Sequence, residues 1–119
     1  YFLTHMHADH TVGLVDGWDL GTIYCSPVTR RLLLAKFKVD SDLVVALSIG
    51  EQHMVPLAAA GDAAVVYCVV ELFDAEHCPG SVSLLLQGYF GTYFHTGDFR
   101  LSDTMLQRLA ARGVGTTVE

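Results

Sequence analysis

Thr4-His5-Met6-His7-Ala8-Asp9-His10 sets three imidazoles and one carboxylate within six consecutive residues, directly after the apolar run Tyr1-Phe2-Leu3. Packing does not account for that density of ligand-type side chains. In an extended segment side chains alternate, so His5 and His7 project to the same side, about 7 Å apart along the backbone, and can converge on one ion. A turn beginning near Ala8 swings Asp9 and His10 toward a neighbouring position, where a carboxylate oxygen and a third imidazole can hold a second ion. Imidazole nitrogen with a few carboxylate oxygens and no thiolate suits zinc, with manganese or iron next. A histidine tag is uninterrupted and lacks an embedded Asp, which sets that reading aside.

Four residues this close together cannot surround two ions and leave an open position for water, so further ligands must come from elsewhere. Two later stretches offer them. Asp74-Ala75-Glu76-His77-Cys78-Pro79-Gly80-Ser81 follows the apolar run from Ala63 to Phe73, and Thr96-Gly97-Asp98-Phe99-Arg100 follows Thr92-Tyr93-Phe94-His95. All three ligand-bearing stretches come just after a strand-like run, in a loop that contains or precedes glycine. That is the arrangement of a site built at one end of a sheet. If the chain stays extended at Cys78, its thiol points away from His77 and is not a ligand.

The chain has 119 residues, enough for one domain (1–119) with a real core and short for an enzyme with two metals. It begins inside an apolar run without an initiator Met and is read as a fragment. Apolar residues make up 51 % of it, yet no run approaches the roughly 18 that a membrane span requires, so a soluble chain with no membrane partner is expected. Cys25, Cys68 and Cys78 are an odd number without Cys-x-x-Cys spacing, which argues against a disulfide framework and for a reducing compartment. The net charge of −6 sits awkwardly with a nucleic-acid partner. Metal would cancel Asp9 and Asp98, however, and Arg30, Arg31, Lys36 and Lys38 cluster in one stretch.

Along the chain, Thr11 to Val15 is expected to form a short helix ended by Asp16-Gly17, with its N-terminus toward the site. Gly21 to Cys25 reads as a strand. Ser26-Pro27 is an N-cap followed by proline at the first helical position, and Val28, Leu32, Ala35 and Val39 mark the apolar face of the helix that follows. Asp40 to Leu47 is open between helix and strand. Ile49 to Leu57 reads as two short strands around a turn at Gly50-Glu51, with Pro56 restricting the second to an edge. Residues 57–62 read as a loop, and Ala63 to Phe73 as a strand buried on both faces. Ser81 to Gln87 and Thr92 to His95 form a hairpin turned at Gly88-Tyr89-Phe90-Gly91. Asp103 to Arg112 is a helix with Met105, Leu106 and Leu109 on one side, ended by Gly113. His53 is assigned to the surface, and His95 to packing or to a supporting position behind the ligands.

The run His5-x-His7-x-Asp9-His10, His77 in His-Cys-Pro-Gly-Ser and Asp98 in Thr-Gly-Asp-Phe-Arg together resemble the metallo-β-lactamase fold. More narrowly they resemble its β-CASP branch, the DNA cross-link-repair nucleases that include Apollo, Artemis and Pso. Tyr24-Cys25-Ser26-Pro27-Val28-Thr29 and Gly88-Tyr89-Phe90-Gly91-Thr92 extend the likeness through most of the chain. The resemblance implies an α/β (α+β) fold, a partial four-layer αββα sandwich. It implies zinc, one or two ions, with His5, His7 and His77 on one, Asp9 and His10 on the other, and Asp98 bridging; Asp9 and Asp98 are the catalytic carboxylates. It also implies phosphodiester hydrolysis by metal-activated water in DNA repair and telomere-end processing, on single-stranded or damaged DNA ends, in the nucleus. Its narrower implication is a 5′ exonuclease, with a hairpin endonuclease as the other possibility. Ser81, Arg100 and Asp74 are candidates for substrate contact or for support of the ligands, and Glu76 for support. The family carries an inserted domain and a further zinc-binding histidine beyond the equivalent of Glu119, neither of which this sequence contains, so the chain by itself is expected to be weak or inactive. Another hydrolase of the same fold, acting on RNA, thioesters or lactones, and a non-catalytic scaffold are the alternative readings.

Overall fold

The computed structural model describes residues 1–57 and 64–115. β-Branched and aromatic residues build the first sheet: β1 (Ile23–Cys25) pairs in parallel with β2 (Val44–Ala46). On its other side β1 receives the start of the chain, through a parallel bridge between Phe2 and Tyr24. Leu3 N donates to Tyr24 O at 3.0 Å and Tyr24 N to Tyr1 O at 2.8 Å. The second sheet is antiparallel in the order β3 (Gln52–Leu57), β4 (Val66–Asp74), β5 (Val82–Gly88) and β6 (Gly91–His95). Helix α1 (Pro27–Lys36) follows β1, and α2 (Asp103–Ala111) follows the last strand.

Period-two alternation divides the side chains into three apolar layers. Cys68, Val70 and Leu72 of β4 and Val82 and Leu84 of β5 face Phe2, Tyr24 and Leu47, filling the space between the sheets. Leu3, Ile23, Cys25 and Val44 point the other way, onto Leu33 of α1. Phe73 and Leu85 leave the outer face of the large sheet to meet Met105 and Leu109 of α2. Three apolar layers between four layers of elements are an αββα arrangement, an α+β fold consistent with part of a metallo-β-lactamase sandwich.

The structure revises several expectations. Thr11 to Val15 is not a helix: a short 3-10 turn covers Ala8–His10, and Gly13 at φ 92° breaks any continuation. Helix α1 starts at Pro27 with Ser26 as its cap, but its inward face is Thr29 and Leu33, while Val28 and Leu32 are exposed. Asp40 to Leu47 resolves into a 3-10 turn at Ser41–Leu43 and then β2. Ile49 contributes only an isolated bridge to Leu72, and one strand, β3, follows the turn; Pro56 lies on it at the sheet edge. The strand expected from Ala63 starts at Val66, residue 63 lying outside the described residues along with most of the loop expected at 57–62. That strand is buried on both faces only in its second half; Val66 and Tyr67 are exposed. His95 is exposed rather than packed.

Candidate metal centre

Each ligand-bearing loop leaves the same end of the sheets and is closed by its own backbone chemistry. After the bridge at Phe2, Thr4 O accepts a hydrogen bond from Val82 N at 3.1 Å, which ties the first loop to the start of β5. His7 remains extended, and the turn at Ala8–His10 is closed by His10 N donating to His7 O at 3.0 Å. In the second loop, Ser81 Oγ accepts from His77 N at 3.2 Å and from Cys78 N at 3.0 Å, so one buried hydroxyl sets the backbone on which His77 is carried. Asp74 Oδ1 accepts from Glu76 N at 2.9 Å, and Glu76 adopts the left-handed region at φ 52°. The third loop is fixed by Arg100 N donating to Ala75 O at 2.8 Å and by Ser83 Oγ donating to Thr96 O at 2.6 Å.

Helix α1 holds the second loop from outside. Ser26 Oγ and Thr29 Oγ1, both on fully buried residues, donate to Gly80 O at 2.6 and 3.1 Å. Gly80 stands at φ 82°, and a Cβ there would lie 2.8 Å from Val28 Cβ. Only glycine permits both the backbone conformation and the close approach.

The three loops bring six side chains into two overlapping groups, His5 with His7, His77 and Asp98, and Asp9 with His10 and Asp98, whose ligand atoms lie within 4.8 Å of one another in each group. Asp98 Oδ2 belongs near both, 3.6 Å from His5 Nε2, 3.5 Å from His77 Nε2 and 3.1 Å from His10 Nε2. His77 Nε2 and His7 Nδ1 face each other at 3.2 Å, and His10 Nε2 lies 3.6 Å from Asp9 Oδ2. Bonds of 2.0–2.1 Å in a tetrahedron set neighbouring ligand atoms about 3.3 Å apart, so these separations are compatible with atoms that could hold one ion. His5 gives a second indication: its residue is fully buried, and Nε2 has no hydrogen-bond partner among the described residues. A buried ring nitrogen without a partner costs free energy unless something else occupies its lone pair. Burial lowers the His5 pKa first, the neighbouring His10, His7 and His77 lower it further, and Asp98 opposes them. The neutral imidazole is therefore favoured, and that is the form that ligates metal. Nitrogen and carboxylate donors without thiolate fit a borderline cation such as zinc.

Of the weaker candidates, Ser81 acts on the His77 backbone and Asp74 on that of Glu76; neither hydrogen-bonds an imidazole. Arg100 is exposed two residues beyond Asp98, and Glu76 is exposed. Cys78 belongs to neither ligand group, and His53 donates through Nε2 to Ser48 O at 3.0 Å, away from the site. Sequence reasoning passed over Thr4, Ser26 and Thr29 as parts of this centre. A hydroxyl residue directly before the first ligand histidine was a readable signal for Thr4. No sequence signal connects α1 with a glycine 54 residues away.

No family model matches the chain. It is 48 % identical over 110 residues to the 5′ exonuclease Apollo of Mus musculus, an alignment that covers 92 % of this chain and 20 % of that protein. Identity to the DNA cross-link repair protein SNM1 of Arabidopsis thaliana is 41 % over 106 residues, 88 % of this chain and 20 % of the relative. Protein artemis of Rattus norvegicus is 39 % identical over 119 residues, covering 92 % of this chain and 17 % of the relative. The chain thus spans about a fifth of the length of the curated relatives it matches. With four layers, one loop cluster and this level of identity along nearly all of its length, the chain is homologous to one segment of Apollo, SNM1 and Artemis, which are DNA repair nucleases of the β-CASP metallo-β-lactamase fold.

Proposed function

We propose that this chain carries the metal-binding core of a zinc-dependent DNA repair nuclease that hydrolyses phosphodiesters. The observation that supports this most is the convergence of six ligand-type side chains from three separated loops around a buried, unpartnered His5 Nε2. In this reading His5, His7 and His77 hold one ion, Asp9 and His10 hold a second, and Asp98 serves both. Bound zinc supplies Lewis acidity toward a phosphoryl oxygen and brings the pKa of a coordinated water close to neutrality. The protein's own groups do the rest. His5 closes the inner wall, where no solvent reaches, while His7, Asp9 and Asp98 lie on the exposed side and leave it open to a polymer. Asp9 and Asp98 contribute two negative charges, fewer than two divalent ions carry, so the loaded centre attracts a phosphate. Arg100 is exposed on the same loop as Asp98 and is available to a neighbouring phosphate. Identity of 48 % to an Apollo protein against 39 % to an Artemis protein favours 5′-exonucleolytic action over hairpin opening. Likeness to DNA repair nucleases supports a nuclear site of action.

The test is a segment exchange, because the chain covers only a fifth of its relatives. Mouse Apollo with its aligned segment replaced by this chain should degrade 5′-phosphorylated single-stranded DNA, and Asp98→Ala in the exchanged segment should reduce the rate by at least about a hundredfold. A folded, zinc-loaded exchange protein with no DNA hydrolysis, or one whose rate is indifferent to Asp98→Ala, would remove the proposal.

A further inference from the structure

Thr4 touches the centre in three places. Its Oγ1 lies 2.9 Å from His5 Nδ1 in a buried contact. Its carbonyl oxygen accepts from Val82 N, at the root of the strand that follows the His77 loop. Its methyl group packs against Gly97, the residue before Asp98, closely enough that a Cβ on Gly97 would sit 3.2 Å from Thr4 Cγ2. Gly97 also holds φ 56°, a left-handed conformation that favours glycine, and the Thr4 methyl would have to give way to any Cβ there. One residue, itself 6 % exposed, thus contacts the first ligand directly and both other ligand loops through their backbones.

The contact with His5 has a chemical consequence. A neutral imidazole carries one proton, and the partner of one nitrogen decides which nitrogen holds it. His5 Nε2 faces the other ligands and has no hydrogen-bond partner among the described residues, Asp98 Oδ2 lying 3.6 Å away, whereas Nδ1 faces the Thr4 hydroxyl. We infer that Thr4 is a positioning residue: its Oγ1 accepts the Nδ1–H of His5, which holds the ring in the tautomer whose Nε2 lone pair is directed into the centre, and its methyl sets the spacing between His5 and the Asp98 loop. The inference rests on the metal reading of this centre and adds to it how the buried ligand is prepared before any ion arrives.

The experiment is nitrogen-15 NMR of the histidine rings in the metal-free chain, alongside zinc affinity measured by competition with a chromophoric chelator. The wild-type chain should show His5 protonated at Nδ1. Thr4→Val should mix or reverse that tautomer and weaken zinc binding by about 10- to 100-fold, the range for loss of a hydrogen bond behind a ligating histidine. Thr4→Ser keeps the hydroxyl and should restore the tautomer. A wild-type His5 protonated at Nε2 in a chain that takes up zinc overturns the positioning role alone, as does a Thr4→Val chain with unchanged tautomer and affinity. A wild-type chain that takes up no zinc overturns the metal reading and the positioning role with it. Should Thr4→Val fail to fold, the tautomers of the wild-type chain and of Thr4→Ser still decide.

Discussion

Buried polar and ionisable side chains do two different jobs in this protein, and Cys25 is the simplest contrast to His5. The Cys25 thiol is buried among Leu3, Ile23 and Leu33, and burial pushes its pKa up to about 12 from an ordinary 9.0, with Arg30 pulling slightly the other way. Cys68 is raised by burial as well. Above about pH 9 the unfolded chain releases these protons while the folded chain keeps them, so the folded state binds more protons and its stability falls as pH rises through that window. The expected slope is about 1.4 kcal/mol per pH unit for one thiol. Urea denaturation between pH 8.5 and 10.5 should reveal it, and Cys25→Ala should lower the slope while Cys68 keeps its share; an unchanged slope would mean that Cys25 is not the buried thiol described. Gly80 is the second residue whose role is testable alone. Gly80→Ala forces a side chain onto Val28 at a left-handed backbone position, and should cost about 1–3 kcal/mol while weakening zinc binding through the His77 loop. Unaltered stability in a thermal melt would argue against the close docking of that loop.

At the scale of elements, α1 is both a covering layer and a brace. Its N-cap could be read from Ser26-Pro27, because a hydroxyl followed by proline at the first helical position is a local signal. The inward face could not be read the same way. Hydrophobic periodicity selects Val28 and Leu32, but Thr29 turns inward to donate to Gly80 O, beside buried Leu33 and the Ser26 hydroxyl that donates to the same carbonyl. Ser26→Ala should therefore do more than lose a cap worth about 1 kcal/mol: zinc affinity should fall too, whereas an exposed helix change such as Arg31→Ala should leave affinity unchanged. Chelator competition on the two variants separates the outcomes, and equal affinities would reduce α1 to a simple cover. Helix α2 is fastened by the pair of Arg112 with buried Glu71, Nε to Oε2 at 2.6 Å and Nη2 to Oε1 at 3.4 Å. Glu71 shares the outer face of β4 with Phe73, so it is the polar member of an otherwise apolar contact. Arg112→Met leaves a buried carboxylate without its partner and should lower the melting temperature more than the double change with Glu71→Leu, which removes the charge as well. A double variant less stable than the single one would contradict this account.

Over the whole molecule, the four layers were legible because continuous apolar runs demand cover on both sides and amphipathic helices supply it. The convergence of His5, His7, Asp9, His10, His77 and Asp98 was legible because all stand just beyond strand-like runs. The parallel pairing of β1 with β2 was not, since Asp40 to Leu47 carries no decisive period and its three-residue strand is defined by its neighbour. The expected helix at Thr11 failed for a local reason: Gly13 takes φ 92°, which ends the turn that begins at Ala8–His10. The acidic net charge of −6 is a property of the whole, and two bound divalent ions would offset much of it where phosphate approaches. Among the described residues no helix is long and apolar enough to cross a membrane. The central claim, that three separated loops build one metal centre, is tested most directly by zinc content of the purified chain by elemental analysis, measured beside His77→Ala and Asp98→Ala. About one to two zinc ions per chain, reduced in both variants while their circular dichroism stays native, is the result expected from two ligand groups that share Asp98. A folded chain without zinc, or variants that keep the full amount, would contradict it.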